Sequence, residues 1–275
     1  MESRAMFVRD GDAFVGTTLT QGGWDRRHMN GAAVLALLGH CLDDVPTVVP
    51  MVLARFTADL ARPVPIGPRL RVVPEIVREG KKLQLVQLRI VVDDVDHAWA
   101  TALRLRVDDL AAMPDVPSSS AGTPTADQLL VPRDELSSMR DRAGNADLPG
   151  FLHAIDLWRA PRRDGRGSGY WARLDTPVVA GEPNRSSAFI TFAFDCANVM
   201  GIENPMANVT MINPDVTAHV LRPPADEWVA VTGDTYVEPA MGRSMTVATY
   251  SDSCGMYAQG SLSQLVQPQR GEGRA

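Results

Sequence analysis

The segment Phe56-Thr57-Ala58-Asp59-Leu60-Ala61-Arg62-Pro63 returns later in the chain as Val216-Thr217-Ala218-His219-Val220-Leu221-Arg222-Pro223, at a constant offset of 160 residues. The order of elements around the two copies recurs as well. In the first copy, residues 30–42 are apolar all round and rich in helix formers, with Asn30 placed to cap them, which predicts a buried helix. Alternating runs then predict strands at 53–60, 69–78, 82–93 and 98–107. In the second copy a helix is expected over 186–201, with strands at 216–221, 227–238, 244–251 and 256–266. Gly80-Lys81 and Gly242-Arg243 each open a long strand whose hairpin partner begins about fourteen residues later, the spacing of an antiparallel ladder. One helix followed by four strands, twice, points to a tandem duplication.

Breakers divide the copies. Residues 111–128 hold Pro114, Pro117, Ser118-Ser119-Ser120 and Pro124, and the stretch after 266 is polar. The expected organisation is an N-terminal repeat over 1–110, a linker over 111–150, a C-terminal repeat over 151–266 and a flexible tail over 267–275. A further strand is expected over 170–174, after a loop carrying Arg162, Arg163 and Arg166.

At 45% hydrophobic and 22% charged, the chain has the balance of a globular protein able to bury a core without staples. Its net charge of −6 argues against a nucleic-acid partner, whose binding rests on neutralised phosphates. Cys41, Cys196 and Cys254 are far apart and form no CxxC, so neither a metal site nor a disulfide framework is expected. No run approaches the roughly 18 apolar residues of a membrane span, and no apolar leader follows Met1, so a cytoplasmic location is expected.

A long helix wrapped by an antiparallel sheet is the hotdog architecture, and two copies in one chain make a double hotdog of the α+β class. Gly22-Gly23-Trp24, His28-Met29-Asn30-Gly31, Ala61-Arg62-Pro63-Val64-Pro65 and Arg78-Glu79-Gly80-Lys81 resemble the first half of TesB-like acyl-CoA thioesterases. The second half is similar to that family through Tyr170-Trp171-Ala172-Arg173, Asp195 with Asn198, Ile212-Asn213-Pro214-Asp215-Val216-Thr217, Arg222-Pro223-Pro224 and Glu227-Trp228. The resemblance implies hydrolysis of an acyl-CoA or acyl-carrier thioester by carboxylate-activated water, with no cofactor, and association as a homodimer.

It also implies site residues. The family's water-activating aspartate falls on Asp215, at the mouth of a strand, and its hydroxyl partner within one residue of Thr235, with strict register placing Tyr236 there. Its glutamine falls on Leu262 or Ser263, with Gln264 one or two residues further along. The helix start at Asn30 and Gly31 offers backbone N–H groups and a positive dipole end to a thioester carbonyl. Asp195 and Asn198 share one helix face, where Asp195 is placed to orient a water or Asp215. His28 and His219 are the imidazoles close enough in sequence to act as bases. No GxSxG elbow, HExxH or P-loop is present, which removes support from serine-hydrolase, zinc-peptidase and nucleotide readings.

Three functions compete on these grounds. The first is thioester hydrolysis at Asp215. The second is an inactive hotdog that binds an acyl thioester or acyl chain, favoured if no glutamine reaches the site. The third is a hydratase or related enzyme, for which Asp215 and His28 would be the carboxylate and imidazole.

Overall fold

The computed structural model describes residues 4–23, 25–110, 113, 122–139, 148–197 and 209–268. Within them a 13-stranded sheet wraps two long helices, α1 (Gly31–Leu42) and α2 (Ser186–Asp195). The N-terminal half supplies β1 (Phe7–Asp10), β2 (Ala13–Gly16), β3 (Met51–Asp59), β4 (Arg69–Arg78), β5 (Leu83–Val92) and β6 (Val95–Arg106). The C-terminal half supplies β7 (Asp156–Pro161), β8 (Ser168–Arg173), β9 (Val209–Ile212), β10 (Asp215–Val220), β11 (Val229–Glu238), β12 (Arg243–Asp252) and β13 (Gly255–Pro268). Their spatial order is β1-β2-β4-β5-β6-β3-β10-β13-β12-β11-β8-β7, with β9 beside the end of β13. The two halves therefore mirror each other in order about the β3–β10 seam, and the architecture is a double hotdog.

The seam shows why the duplication is real. β3 and β10 run antiparallel with Thr57 opposite Thr217, and their hydroxyls lie 3.3 Å apart. These two residues are 160 positions apart, so each meets its own repeat equivalent, which is what a twofold relation between copies requires. β4 with β11 and β5 with β12 keep the same offset at both ends. The pairing that a hotdog sheet makes with a second copy is thus made inside one chain.

The repeat is longer than the pattern of one helix and four strands. Strands β1, β2, β7 and β9 were not expected, and β1, β2 and β7 together with β8 precede the helices. β1 and β2 have four residues each, too few for alternation to register. The second helix ends at Asp195 with Cys196 as its cap, short of the expected 201, and residues 198–201, including Asn198, lie outside the described residues.

Both helices are buried and cross closely. A Cβ at Gly39 of α1 would come within 2.3 Å of Thr191 Oγ1 and 2.5 Å of the Ser187 carbonyl on α2, so only glycine permits this approach. Thr191 Oγ1 donates to the Leu35 carbonyl at 2.7 Å across the same crossing. Part of the expected linker packs as structure rather than running free. Residues 126–130 cover the outer face of the C-terminal half, where the Trp171 indole N–H donates to the Val131 carbonyl at 2.9 Å.

Candidate active site

A continuous hydrogen-bonded chain crosses the inner face of the C-terminal half. Thr235 Oγ1 and Thr246 Oγ1 are 2.7 Å apart. Thr246 Oγ1 donates to Gln264 Oε1 at 3.1 Å, and Ser244 Oγ donates to the same oxygen at 2.9 Å. Gln264 Nε2 donates to Asn213 Oδ1 at 3.1 Å, and Asn213 Nδ2 donates to Asp195 Oδ1 at 2.7 Å. Strand alternation builds this row: Thr235 faces Thr246 across β11–β12, and Ser244 faces Gln264 across β12–β13. Ser244, Thr246 and Gln264 are buried, while Asp195 and Asn213 keep some surface open at the end of the row.

Three of the expected residues are brought together here, namely Thr235, Gln264 and Asp195, and Asp215 is not. Ile212 pairs with Leu265, which sets Asn213 beside Gln264, whereas Thr217 pairs with Ser261, which sets Val216 beside Leu262. Between the two pairings the register slips by one residue at Pro214. Asn213 and Val216 therefore both turn inward, and Asp215 turns to the outer face. There Asp215 sits opposite Asp59 and its Oδ1 accepts from the Ser263 N–H at 2.9 Å. The same parity turns Tyr236 and Ser263 outward, away from the row, and makes Leu262 a core residue.

The open end of the chain meets the N-terminus of α1. Asn30 caps the helix as expected, its Oδ1 accepting from the Ala32 N–H at 2.9 Å. A Cβ built on Gly31 would stand 2.9 Å from Asp195 Oδ2, so glycine is what lets the carboxylate lie against the first turn. Burial pushes the Asp195 pKa up, opposed by the Asn213 amide and the Ala32 N–H. The Gly31 N–H, first in the helix, has no intrahelical acceptor to serve. A partly buried carboxylate, the Asn213 amide and the first turn of α1 thus meet at the end of the row.

The remaining candidates stand apart from this row. His28 Nδ1 pairs with Asp25 Oδ2 at 3.2 Å, while the Asp215 carboxylate accepts from the Ser263 N–H. His219 is exposed opposite Arg55. Arg162 donates to the Gly233 carbonyl and to Asp234, and Arg166 to Asp234, which staples their loop onto β11 and neutralises it.

Asn213, Ser244 and Thr246 were missed by sequence reasoning. The signal present was two hydroxyls at alternate positions of a strand whose other inward residues, Ala248 and Tyr250, are apolar or aromatic.

The N-terminal half lacks the row. At the offset of 160, Asn213, Gln264 and Ser244 correspond to Leu53, Arg104 and Gln84. Leu53 and Gln84 both pair with Arg104 in register, and the β3 ladder slips beside Leu53 just as the β9–β10 ladder slips beside Asn213. Arg104 fills the position with its guanidinium, donating to Gln84 Oε1 and to the Leu42 and Val45 carbonyls beyond the end of α1. The carboxylate at this end, Asp43, is used to cap α2 through the Ser187 N–H and hydroxyl.

Fold and site together define a double hotdog in which, among the described residues, one polar row ends at a helix N-terminus. The acyl-CoA thioesterase N-terminal domain matches residues 20–107 and the C-terminal domain matches residues 132–260, and the chain belongs to this family. Among solved structures, a protein assigned as thioesterase II from Thermobifida fusca YX is similar over 95% of both chains, with TM-score 0.67 and 15% identity. A hot dog fold protein from Alicyclobacillus acidocaldarius covers 95% of both chains at TM-score 0.64 and 14% identity. Acyl-CoA thioesterase II TesB2 from Mycobacterium marinum does so at TM-score 0.58 and 15% identity. At such identities the likeness is one of fold. No curated protein matches the sequence. No helix among the described residues is long and apolar enough to cross a membrane.

Proposed function

We propose that this protein hydrolyses acyl-CoA thioesters at the Asp195–Asn213–Gln264 row, with Asp195 in the role that the sequence resemblance assigned to Asp215. The observation that carries this reading is the unbroken hydrogen-bond chain from Thr235 to Asp195, whose carboxylate lies against the first turn of α1. Asp195 Oδ1 is occupied by Asn213, which leaves Oδ2, the oxygen nearest Gly31, to take a proton from water. The water oxygen adds to the thioester carbonyl carbon, and the Gly31 N–H stabilises the oxyanion with the help of the helix dipole. The C–S bond then breaks, the thiol leaves with the proton held by Asp195, and the acyl group departs as the acid.

The non-catalytic binding reading is favoured if no glutamine reaches the site, and the hydrogen bond from Gln264 to Asn213 supports hydrolysis over it. The test is release of free CoA from short, medium, long and aromatic acyl-CoAs by wild type, Asp195→Asn and Asp215→Ala, each checked for folding. Turnover should collapse in Asp195→Asn and persist in Asp215→Ala. The opposite result returns the water-activating role to Asp215, and binding without turnover by wild type restores the non-catalytic reading.

A further inference from the structure

We propose that Ser244 and Thr246 are positioning residues that hold Gln264 in the orientation an ionised Asp195 demands of the row, and so keep Asp195 ready as a base. This rests on the reading of Asp195 as the water-activating group. Valence dictates the direction. An ionised Asp195 can only accept, so Asn213 must turn its Nδ2 toward it and its Oδ1 toward Gln264. Gln264 must then present Nε2 to Asn213 and Oε1 to β12. At Oε1 only donors are tolerated, and Ser244 and Thr246 both supply one, at 2.9 and 3.1 Å. Thr246, having given its proton to Gln264, accepts the proton of Thr235.

An amide side chain can flip by half a turn at little cost in shape, exchanging its donor and acceptor ends. That flip is expensive here because a flipped Gln264 would aim its oxygen at the oxygen of Asn213. Were Asn213 to follow, its own oxygen would face the Asp195 carboxylate. The two buried hydroxyls of β12 satisfy Gln264 Oε1 in the unflipped orientation, the one that keeps a donor on Asp195 at the far end of the row. Among the described residues no cation forms an ion pair with Asp195. Its titratable neighbours Cys196 and Tyr250 are held above their ordinary pKa by burial and remain neutral.

The direct test is a carboxyl carbon NMR titration of Asp195 in wild type, Thr246→Val, Ser244→Ala, the double variant and Thr246→Ser. Loss of the donors should move the Asp195 titration to higher pH, most in the double variant, and Thr246→Ser should restore it. Steady-state hydrolysis of the best acyl-CoA of the panel supplies the second readout. The double variant should lose about tenfold or more in kcat with little change in KM, and the acid limb of its pH profile should follow the titration.

An unchanged Asp195 titration in the folded double variant, or equal losses in Thr246→Ser and Thr246→Val, overturns the proposal. The first shows no coupling along the row, and the second shows packing rather than donation. A folded Asp195→Asn protein with wild-type turnover overturns instead the reading on which it rests. If the double variant collapses, the two single variants carry the same comparison.

Discussion

Arg104 and Gln264 occupy the same place in the two halves of the sheet, 160 residues apart, and do opposite things there. Gln264 is one link in a row that opens on Asp195, whereas Arg104 closes its end of the molecule by binding the Leu42 and Val45 carbonyls. The two halves thus carry one polar row that ends on a carboxylate and one structural plug. Burial holds the Arg104 pKa below its ordinary value while Asp43 and Glu79 act to raise it. Replacing Arg104 with Met should leave two backbone carbonyls and Gln84 without a donor. The expected loss is about 2–4 kcal/mol of stability in urea unfolding, with kcat per folded molecule unchanged. A drop in kcat without loss of stability would place Arg104 in the chemistry.

Asp195 should cost stability where it serves function. Its folded pKa is raised, so the native state favours the protonated form. The group adds most to stability below the ordinary carboxylate range, and that contribution is lost as pH rises through its folded pKa. Asp195→Asn keeps an acceptor for Asn213 and removes the buried charge. Its melting temperature should therefore exceed that of wild type at pH 7 and converge with it as pH falls toward 4. A lower Tm at neutral pH would show that the ionised carboxylate stabilises the fold.

How much of this was legible in the sequence follows from strand parity. Where strands are long, alternation located them, and the 160-residue offset carried over to the Thr57–Thr217 seam. The helix cap at Asn30 could be read because an Asn before an apolar run has a local mechanism. The face that Asp215 takes could not be read, because the slip at Pro214 is invisible to a count of alternate residues. A proline between two short strands hides which side the next residue faces, and the inward carboxylate came from α2 instead. Ser244 and Thr246 look like ordinary strand residues until β13 places Gln264 beside them.

Gly31 gives a test of the helix N-terminus. Adding a methyl group there favours the helix by about 1 kcal/mol, since alanine is a better helix former than glycine. The same methyl would stand 2.9–3.0 Å from the Asp195 carboxylate. Gly31→Ala should therefore change Tm little while lowering kcat by about tenfold or more, as displaced Asp195 loses its line to the water and carbonyl. Retained turnover would show that hydrolysis does not depend on the close approach of the Asp195 carboxylate to this turn.

Acid stability should be governed from another place, the Glu182 carboxylate. Arg9 donates to its Oε1 at 2.8 Å and buried His40 contacts its Oε2 at 2.9 Å, tying β1 and α1 to the start of α2. The Arg9 hydrogen bond first, and His40 after it, lower the Glu182 pKa to about 2 against the opposing effect of burial. A depressed carboxylate stabilises the fold above its unfolded value and loses that contribution as pH falls through the folded one. Because Glu182 keeps some exposure, solvent screening reduces the gain to about 1–2 kcal/mol. Glu182→Gln should show that deficit in urea unfolding at pH 7, and the gap to wild type should narrow steadily between pH 5 and pH 2. A gap that stayed constant across that range would assign the loss to the hydrogen-bond geometry and not to the charge.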